Sequence, residues 1–338
     1  MAKMKRRTFL KGGAMVAVST GAARADDFSL GLLPGTRYPD PRIEVLDKRF
    51  SSIGNAGIER IMTGLRWAEG PCWSADGHYL VVSDIPNNRM LRWLEEDGHV
   101  STFRAPSNFS NGNTRDAEGR LVTCEHQTRR VTRTEHDGSI TVLADKCDGK
   151  PFNAPNDVVV AKDGAVWFTD PGYGIGNNYE GDKADALLPD RVYRIDGQSG
   201  ALTVAAEDMQ RPNGLAFTLD GTQMYVVDSG AGTLRLYDVV AGGAPRLGKG
   251  RVFASNFAPG ITDGVRLDTQ GRVWCSEGWG LPGEDGVRCY HGDGTLIGKI
   301  HLPETVANLC FGGRRKNRLF IAASTSVYAV YVDAVGAV

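Results

Sequence analysis

The sequence predicts an all-β chain folded as a six-bladed β-propeller, and three observations carry that expectation. A polar residue opens a strand-like run six times, at Glu69-Gly70, Asn111-Gly112, Asn156-Asp157, Asn213-Gly214, Asp263-Gly264 and Asn308, with spacings of 42 to 57 residues. A turn follows each opening: Asp76-Gly77, Glu118-Gly119, Asp163-Gly164, Asp220-Gly221, Gln270-Gly271 and Lys316-Asn317. A β-rich run follows every turn, in order YLVVSD, RLVTCE, AVWFTD, MYVVDS, RVWCSE and RLFIAA. Self-similarity at this period marks a repeat architecture. Short strands joined by Asp-Gly turns are hairpins, because such turns need positive φ. A second turn in most units (Asp97-Gly98, Asp137-Gly138, Asp196-Gly197, Asp293-Gly294) adds a third and a fourth strand, which is the blade of a propeller.

Residues 1–25 read as a removable export signal. Arg6-Arg7 precede Phe9-Leu10-Lys11, a small-residue run follows, and Ala23-Arg24-Ala25 is an A-x-A cleavage site. The pattern resembles a twin-arginine signal, which implies a folded protein delivered to the periplasm. Residues 26–57, with Pro34, Pro39 and Pro41, read as an extended arm, and residues 58–338 as the propeller. The last unit lacks a fourth strand, and Ile58–Met62 can supply it and close the ring. The longest insertion, residues 174–190, interrupts the third blade and is placed to cover the channel mouth. No amphipathic helix of ten or more residues is visible after the signal.

The chain has 39 basic and 40 acidic residues, and removing the six basic residues of the signal leaves 33 against 40, or −7. That balance argues against nucleic acid or an anionic membrane as a partner. No other run approaches the roughly 18 apolar residues of a membrane span. The six cysteines show no C-x-x-C pair and no zinc spacing, so most read as small core residues. Cys275 and Cys289 flank a hairpin and are the candidates for a disulfide after export.

The innermost strand of each blade lines the channel, so the six opening residues should converge there. Two carboxylates and four amides make a hard, all-oxygen donor set. Such a set suits Ca²⁺ at about 2.3–2.6 Å, with Mg²⁺ or Mn²⁺ next. Zn²⁺ ranks last, since sulfur and clustered histidine are missing. Asn or Asp at one strand start can simply cap a turn, but capping does not require equivalent residues at every blade. Strand alternation puts Asn156 and Asp157 on opposite faces, which predicts Asn156 in the channel and Asp157 turned away, bonded to neighbouring backbone.

The motifs AEGPCW (68–73), SDIPNNRMLRW (83–93), CEHQTRRVTR (124–133), NAPNDVVV (153–160), FTDPGYG (168–174), RPNGLAF (211–217) and TVANLCFGG (305–313) resemble the gluconolactonase family. Its superfamily includes senescence marker protein (regucalcin) and luciferin-regenerating enzyme. The resemblance covers nearly all of residues 60–330 and implies a six-bladed propeller with one divalent ion. The implied ligands are Glu69, Asn156, Asn213 and Asp263, four of the six residues the repeat selects. In one place the chain departs from the animal branch, which carries a substrate-contacting Arg where this chain has Ala154. Asn153 fits the bacterial branch and is the substrate contact expected instead.

A sugar lactone needs its carbonyl polarised and a water delivered to it. Asp263 is the expected general base, and Glu69 serves as a ligand only. Asn156 would both bind metal and orient substrate. His126 is a candidate substrate contact or alternative base. Tyr173 and Trp279 lie on rim loops where a sugar ring can stack, although packing explains either. A G-x-S-x-G elbow is missing, so a serine hydrolase is unsupported. Gly278-Trp279-Gly280-Leu281-Pro282-Gly283 matches G-x-G-x-x-G in letters only, with a proline and no following helix. The expected activity is opening of an aldono-1,5-lactone to the aldonic acid. A related metal-dependent esterase or organophosphatase, and a sugar- or protein-binding propeller without activity, are the alternatives.

Overall fold

A computed structural model describes residues 30–337, so the expected export signal lies outside the described residues. Six antiparallel sheets are arranged as consecutive blades. The innermost strands are Ala68–Ser74, Ser110–Arg115, Val158–Val160, Pro212–Phe217, Ile261–Leu267 and Val306–Gly312. Each pairs with the β-rich run that follows it: Tyr79–Asp84, Leu121–Glu125, Val166–Asp170, Gln223–Asp228, Val273–Gly278 and Arg318–Ala323. These runs are Val, Ile, Phe and Trp-rich because both faces of a middle strand pack against neighbouring blades. Trp167, Trp274 and Phe320 are accordingly almost fully buried. Among the described residues the only helical pieces are two short 3₁₀ turns, Ile85–Asn87 and Tyr173–Ile175.

The sixth blade takes its fourth strand from the beginning of the chain. Glu59–Thr63 pairs with Ser326–Tyr331, Val327 opposite Met62 and Tyr328 opposite Arg60. Gly31–Leu32 adds outside Glu59–Thr63, and Ile43–Val45 adds outside Leu296–His301 of the fifth blade. The segment before the propeller thus wraps the outer edges of two blades. Phe50 packs on Trp274 at 5.7 Å between ring centroids, under the one side-chain-free position of that strand, Gly298.

All six cysteines are free and buried. The Cys275–Cys289 pairing is not made. Cys275 stands opposite Arg288 and Cys289 opposite Trp274, so the two are offset by one register position and belong to different core clusters on opposite faces of the blade.

Candidate active site

Five of the six innermost strands carry a break in register at the polar residue: Glu69/Cys72, Ser110/Asn113, Pro212/Leu215, Thr262/Val265 and Val306/Asn308. A bulge of this kind re-aims a side chain. It also brings the backbones of adjacent blades together, which explains the glycine after so many of these residues. A Cβ at Gly70 would collide with the carbonyl of Asn111, at Gly112 with that of Asn156, at Gly214 with that of Asp263, and at Gly264 with the side chain of Asn308. Asn308 Nδ2 then donates to Glu69 Oε2 at 3.1 Å, which joins the last blade to the first. Between the third and fourth blades the link is Leu215 N donating to Asp157 Oδ2 at 3.4 Å. The six opening residues therefore form one ring, all buried.

Asp157 is not turned away from this ring. It stands where four of the other blades carry glycine and the sixth carries Leu309, and its carboxylate pairs with Arg266 from the fifth blade, 3.1 Å from Nη1. Alternation fails here because the chain is not yet a strand; Val158 begins it. Asp157 and Arg266 form a buried charge pair just beneath the ring, made by residues 109 positions apart.

The electrostatics of the ring are those of carboxylates lacking a full complement of partners. Burial pushes the Glu69 carboxyl up to about 8, with the charge of Asp157 acting in the same direction; a bond from Gly70 N, the one from Asn308 and the charge of Arg266 oppose them. Burial raises Asp263 well above the carboxylate range, reinforced by the charges of Glu69, Asp157 and Glu180, and a hydrogen bond from Asn213 pulls the other way. Asn213 Nδ2 donates to Ser229 Oγ at 3.2 Å, while its Oδ1 is buried without a partner, as is Oδ1 of Asn111. Orphaned amide oxygens together with two carboxylates raised by burial are the surroundings a hard cation would complete. Among the described residues no group of three or more His, Cys, Asp or Glu could hold a metal ion, so any such site depends on the amides.

The remaining expected residues are placed as follows. His126 is fully buried, with Nε2 3.1 Å from Asn111 Nδ2 and Nδ1 2.9 Å from the carbonyl of Glu180. Burial lowers it to about 4, so it is neutral, and both nitrogens are engaged within the protein. Asn153 is also enclosed: its Nδ2 donates to Leu188 O at 2.9 Å and its Oδ1 accepts from Leu188 N at 3.4 Å. Both residues therefore hold the 174–190 insertion. Tyr173 stays on the mouth of the ring, with the Arg211 guanidinium 4.8 Å over its ring and a hydroxyl bonded to Ser229. Trp279 stacks on Trp67 at 5.3 Å and is half exposed at the rim, with φ of 56°.

Three contributors are missing from the sequence reading. Ser229 ties Asn213 to the fifth blade by donating to Thr262 O at 3.0 Å. Glu180, carried by the insertion, is close enough for its charge to raise Asp263, and burial raises its own carboxyl. The third is a set of buried acids, Asp84, Glu125, Asp170, Asp228 and Glu277, that ends the second strand of four blades and stands one residue from its end in the fifth blade. They anchor the loops feeding the ring: Asp170 accepts from Asn153 N and Ala154 N at 2.8 and 2.7 Å, and Asp228 from Arg211 N at 3.0 Å. The signal was present, since YLVVSD, RLVTCE and AVWFTD all finish on an acid. Shape alone would misplace the site: concavities of about 380 and 560 Å³ lie at the opposite end, around Arg115, Arg266 and Ala337, and include none of the six ring residues.

The fold and ring together define a channel-centred propeller with an oxygen-rich polar mouth. Residues 67–325 match the SMP-30/Gluconolactonase/LRE-like region, and the chain belongs to that family. It is 30% identical to the gluconolactonase of Zymomonas mobilis, with 99% of each chain covered. It is 26% identical to the pentonolactonase XacC of Haloferax volcanii, over 78% of this chain and 83% of that one. Among solved structures, a gluconolactonase from Xanthomonas campestris superposes with a TM-score of 0.79 at 34% identity, covering 86% of this chain and 94% of that one.

Proposed function

We propose that this protein is a metal-dependent hydrolase that opens sugar lactones, with an aldono-1,5-lactone as substrate and the aldonic acid as product. The observation that supports the reading is an amide oxygen, Asn213 Oδ1, buried without a partner, together with two carboxylates that burial raises, Glu69 and Asp263, the charge of Glu69 adding to the rise of Asp263. Whole-length similarity to a gluconolactonase and a pentonolactonase supports the substrate class. Glu69, Asn156, Asn213 and Asp263 would hold the ion, Ca²⁺ by the hardness of the donors, with Mg²⁺, Mn²⁺ or Zn²⁺ as substitutes. A divalent ion supplies Lewis-acid polarisation of the lactone carbonyl.

The chain's own residues do the rest. Asp263 accepts a proton from the attacking water as oxygen adds to the carbonyl carbon. It returns that proton to the ring oxygen as the C–O bond breaks, so water is consumed and a hydroxy acid results. Glu69 is held by Asn308 and Gly70 N and takes no part in proton transfer. Tyr173, fixed between Arg211 and Ser229, faces the sugar hydroxyls at the mouth. The Arg6-Arg7 pattern, with the Ala23-Arg24-Ala25 site after it, supports a periplasmic setting reached by export of the folded chain.

The test is proton release from glucono-1,5-lactone by mature protein stripped of metal. Activity should be lost on stripping and regained with Ca²⁺ or another of the four ions. Full activity in excess chelator would overturn the metal mechanism. Inactivity on a panel of lactones with every ion would leave a binding propeller.

A further inference from the structure

The amides of the ring differ in how their two ends are used. Asn308 spends both: Nδ2 donates to Glu69 and Oδ1 accepts from Leu309 N at 2.9 Å. Asn213 spends only its nitrogen, on Ser229 and Asp263, and leaves Oδ1 without a partner. Asn111, which the family resemblance does not place among the ligands, repeats the Asn213 pattern. It is 3% exposed, its Nδ2 meets His126 Nε2 at 3.1 Å, and its Oδ1 is buried with no partner.

The orientation of that amide follows from the residue behind it. A backbone carbonyl can only accept, so His126 Nδ1, 2.9 Å from Glu180 O, must carry the ring's hydrogen. Nε2 of the neutral ring is then a lone pair, which takes an N–H and repels a carbonyl oxygen. The Asn111 amide is thereby fixed with nitrogen toward His126 and oxygen away from it. The insertion holds the ring in place at short range. Gly174 lies flat on the imidazole and Gly181 on Gly174, and a Cβ at either would collide.

We infer that Asn111 Oδ1 is a further oxygen donor to the cation of the ring, and that His126 is the positioning residue that keeps this oxygen inward. The inference rests on the metal reading above. It gives the histidine of CEHQTRR a task other than proton transfer, and it couples the 174–190 insertion to the ion through one carbonyl, one imidazole and one amide.

Calcium titration of metal-stripped mature protein by calorimetry tests it, with wild type, Asn111→Ala, His126→Leu and His126→Gln compared. Circular dichroism and the metal-free Tm report on folding. Both Asn111→Ala and His126→Leu should bind Ca²⁺ about tenfold or more weakly, the loss typical of a disturbed ligand or its orienting partner. His126→Gln, whose Oε1 offers an acceptor where Nε2 stood, should stay within about threefold of wild type. Folded Asn111→Ala with wild-type affinity would overturn the donor role, even if KM for the lactone rose. Weakening by His126→Gln equal to that by His126→Leu would overturn the positioning role. A wild type that binds none of Ca²⁺, Mg²⁺, Mn²⁺ or Zn²⁺ removes the metal reading and this inference with it, an outcome distinct from the first two.

Discussion

Glu125 and Asp263 are both buried acids at the same end of the propeller, yet the chain treats them in opposite ways. Glu125 is enclosed by Arg104 at 2.9 Å, Arg130 at 2.7 Å and the side chains of Asn108 and Thr132. Burial favours the neutral form of Asp263, and the charges of Glu69, Asp157 and Glu180 on the insertion add to it. Asp84 follows the Glu125 plan, with Arg89 at 2.8 Å, and Glu277 does so with Arg288. Burying a charge is expensive unless it is paired. The outer acids are therefore fastenings for loops, while the inner ones hold a concentration of negative charge that only a ligand or protons can relieve. Buried acids without a cationic partner mark function more sharply than burial or acidity alone.

The comparison is broken most severely at its inner member. Asp263→Asn should lower kcat/KM for a sugar lactone by about 10²–10⁴-fold, the range expected for a lost general base. The metal-free Tm should hold or rise, because a repelled carboxylate has been made neutral. Turnover near wild type would take the base's role away from Asp263. Glu125→Ala should do the reverse: two guanidinium groups lose their buried partner, at roughly 3 kcal/mol since both keep some solvent contact. Urea denaturation would read that loss, with kcat per folded molecule close to wild type; an unchanged midpoint would contradict the fastening role.

Asp170 sharpens the contrast with a smaller effect. It belongs to the outer set but has only backbone donors, and burial pushes it up to about 7. A carboxyl raised on folding contributes stability that is fully present below its unfolded value, about 4, and is lost as pH rises through about 7. Asp170→Asn removes that loss. The stability difference between variant and wild type, from denaturant midpoints at pH 5 and pH 8, should move in the variant's favour as pH rises. A constant difference would mean that the two N–H donors keep Asp170 ionised throughout.

The propeller was legible because its signal is repeated: six polar openings, six turns and six β-rich runs reinforce one another along the chain. The ring was legible for the same reason. What stayed hidden depends on single contacts between distant blades. Asp157 reads as outward-facing by alternation, but a pairing with Arg266 leaves no trace in local pattern. Asn153 and His126 look like substrate contacts because they are polar and stand beside the ring motifs. Only the path of residues 174–190 shows that they also hold the insertion, through the Glu180 carbonyl and the Leu188 backbone. The Asn-Gly and Asp-Gly pairs were visible as letters, while their cause, backbones of adjacent blades too close for a Cβ, is three-dimensional.

The strand Glu59–Thr63 is made before the inner strands of all six blades, and its partner Ser326–Tyr331 after them. Until that partner is made the earlier strand waits with an unmatched edge, and blades one to five can form only an open crescent. The clasp then joins two distant stretches of the chain in a single sheet, so fraying of either strand unlatches the same blade. The ring residues on either side of that seam are Asn308 and Glu69, which touch each other. An opened seam would separate them first, so their contact reports whether the clasp is shut.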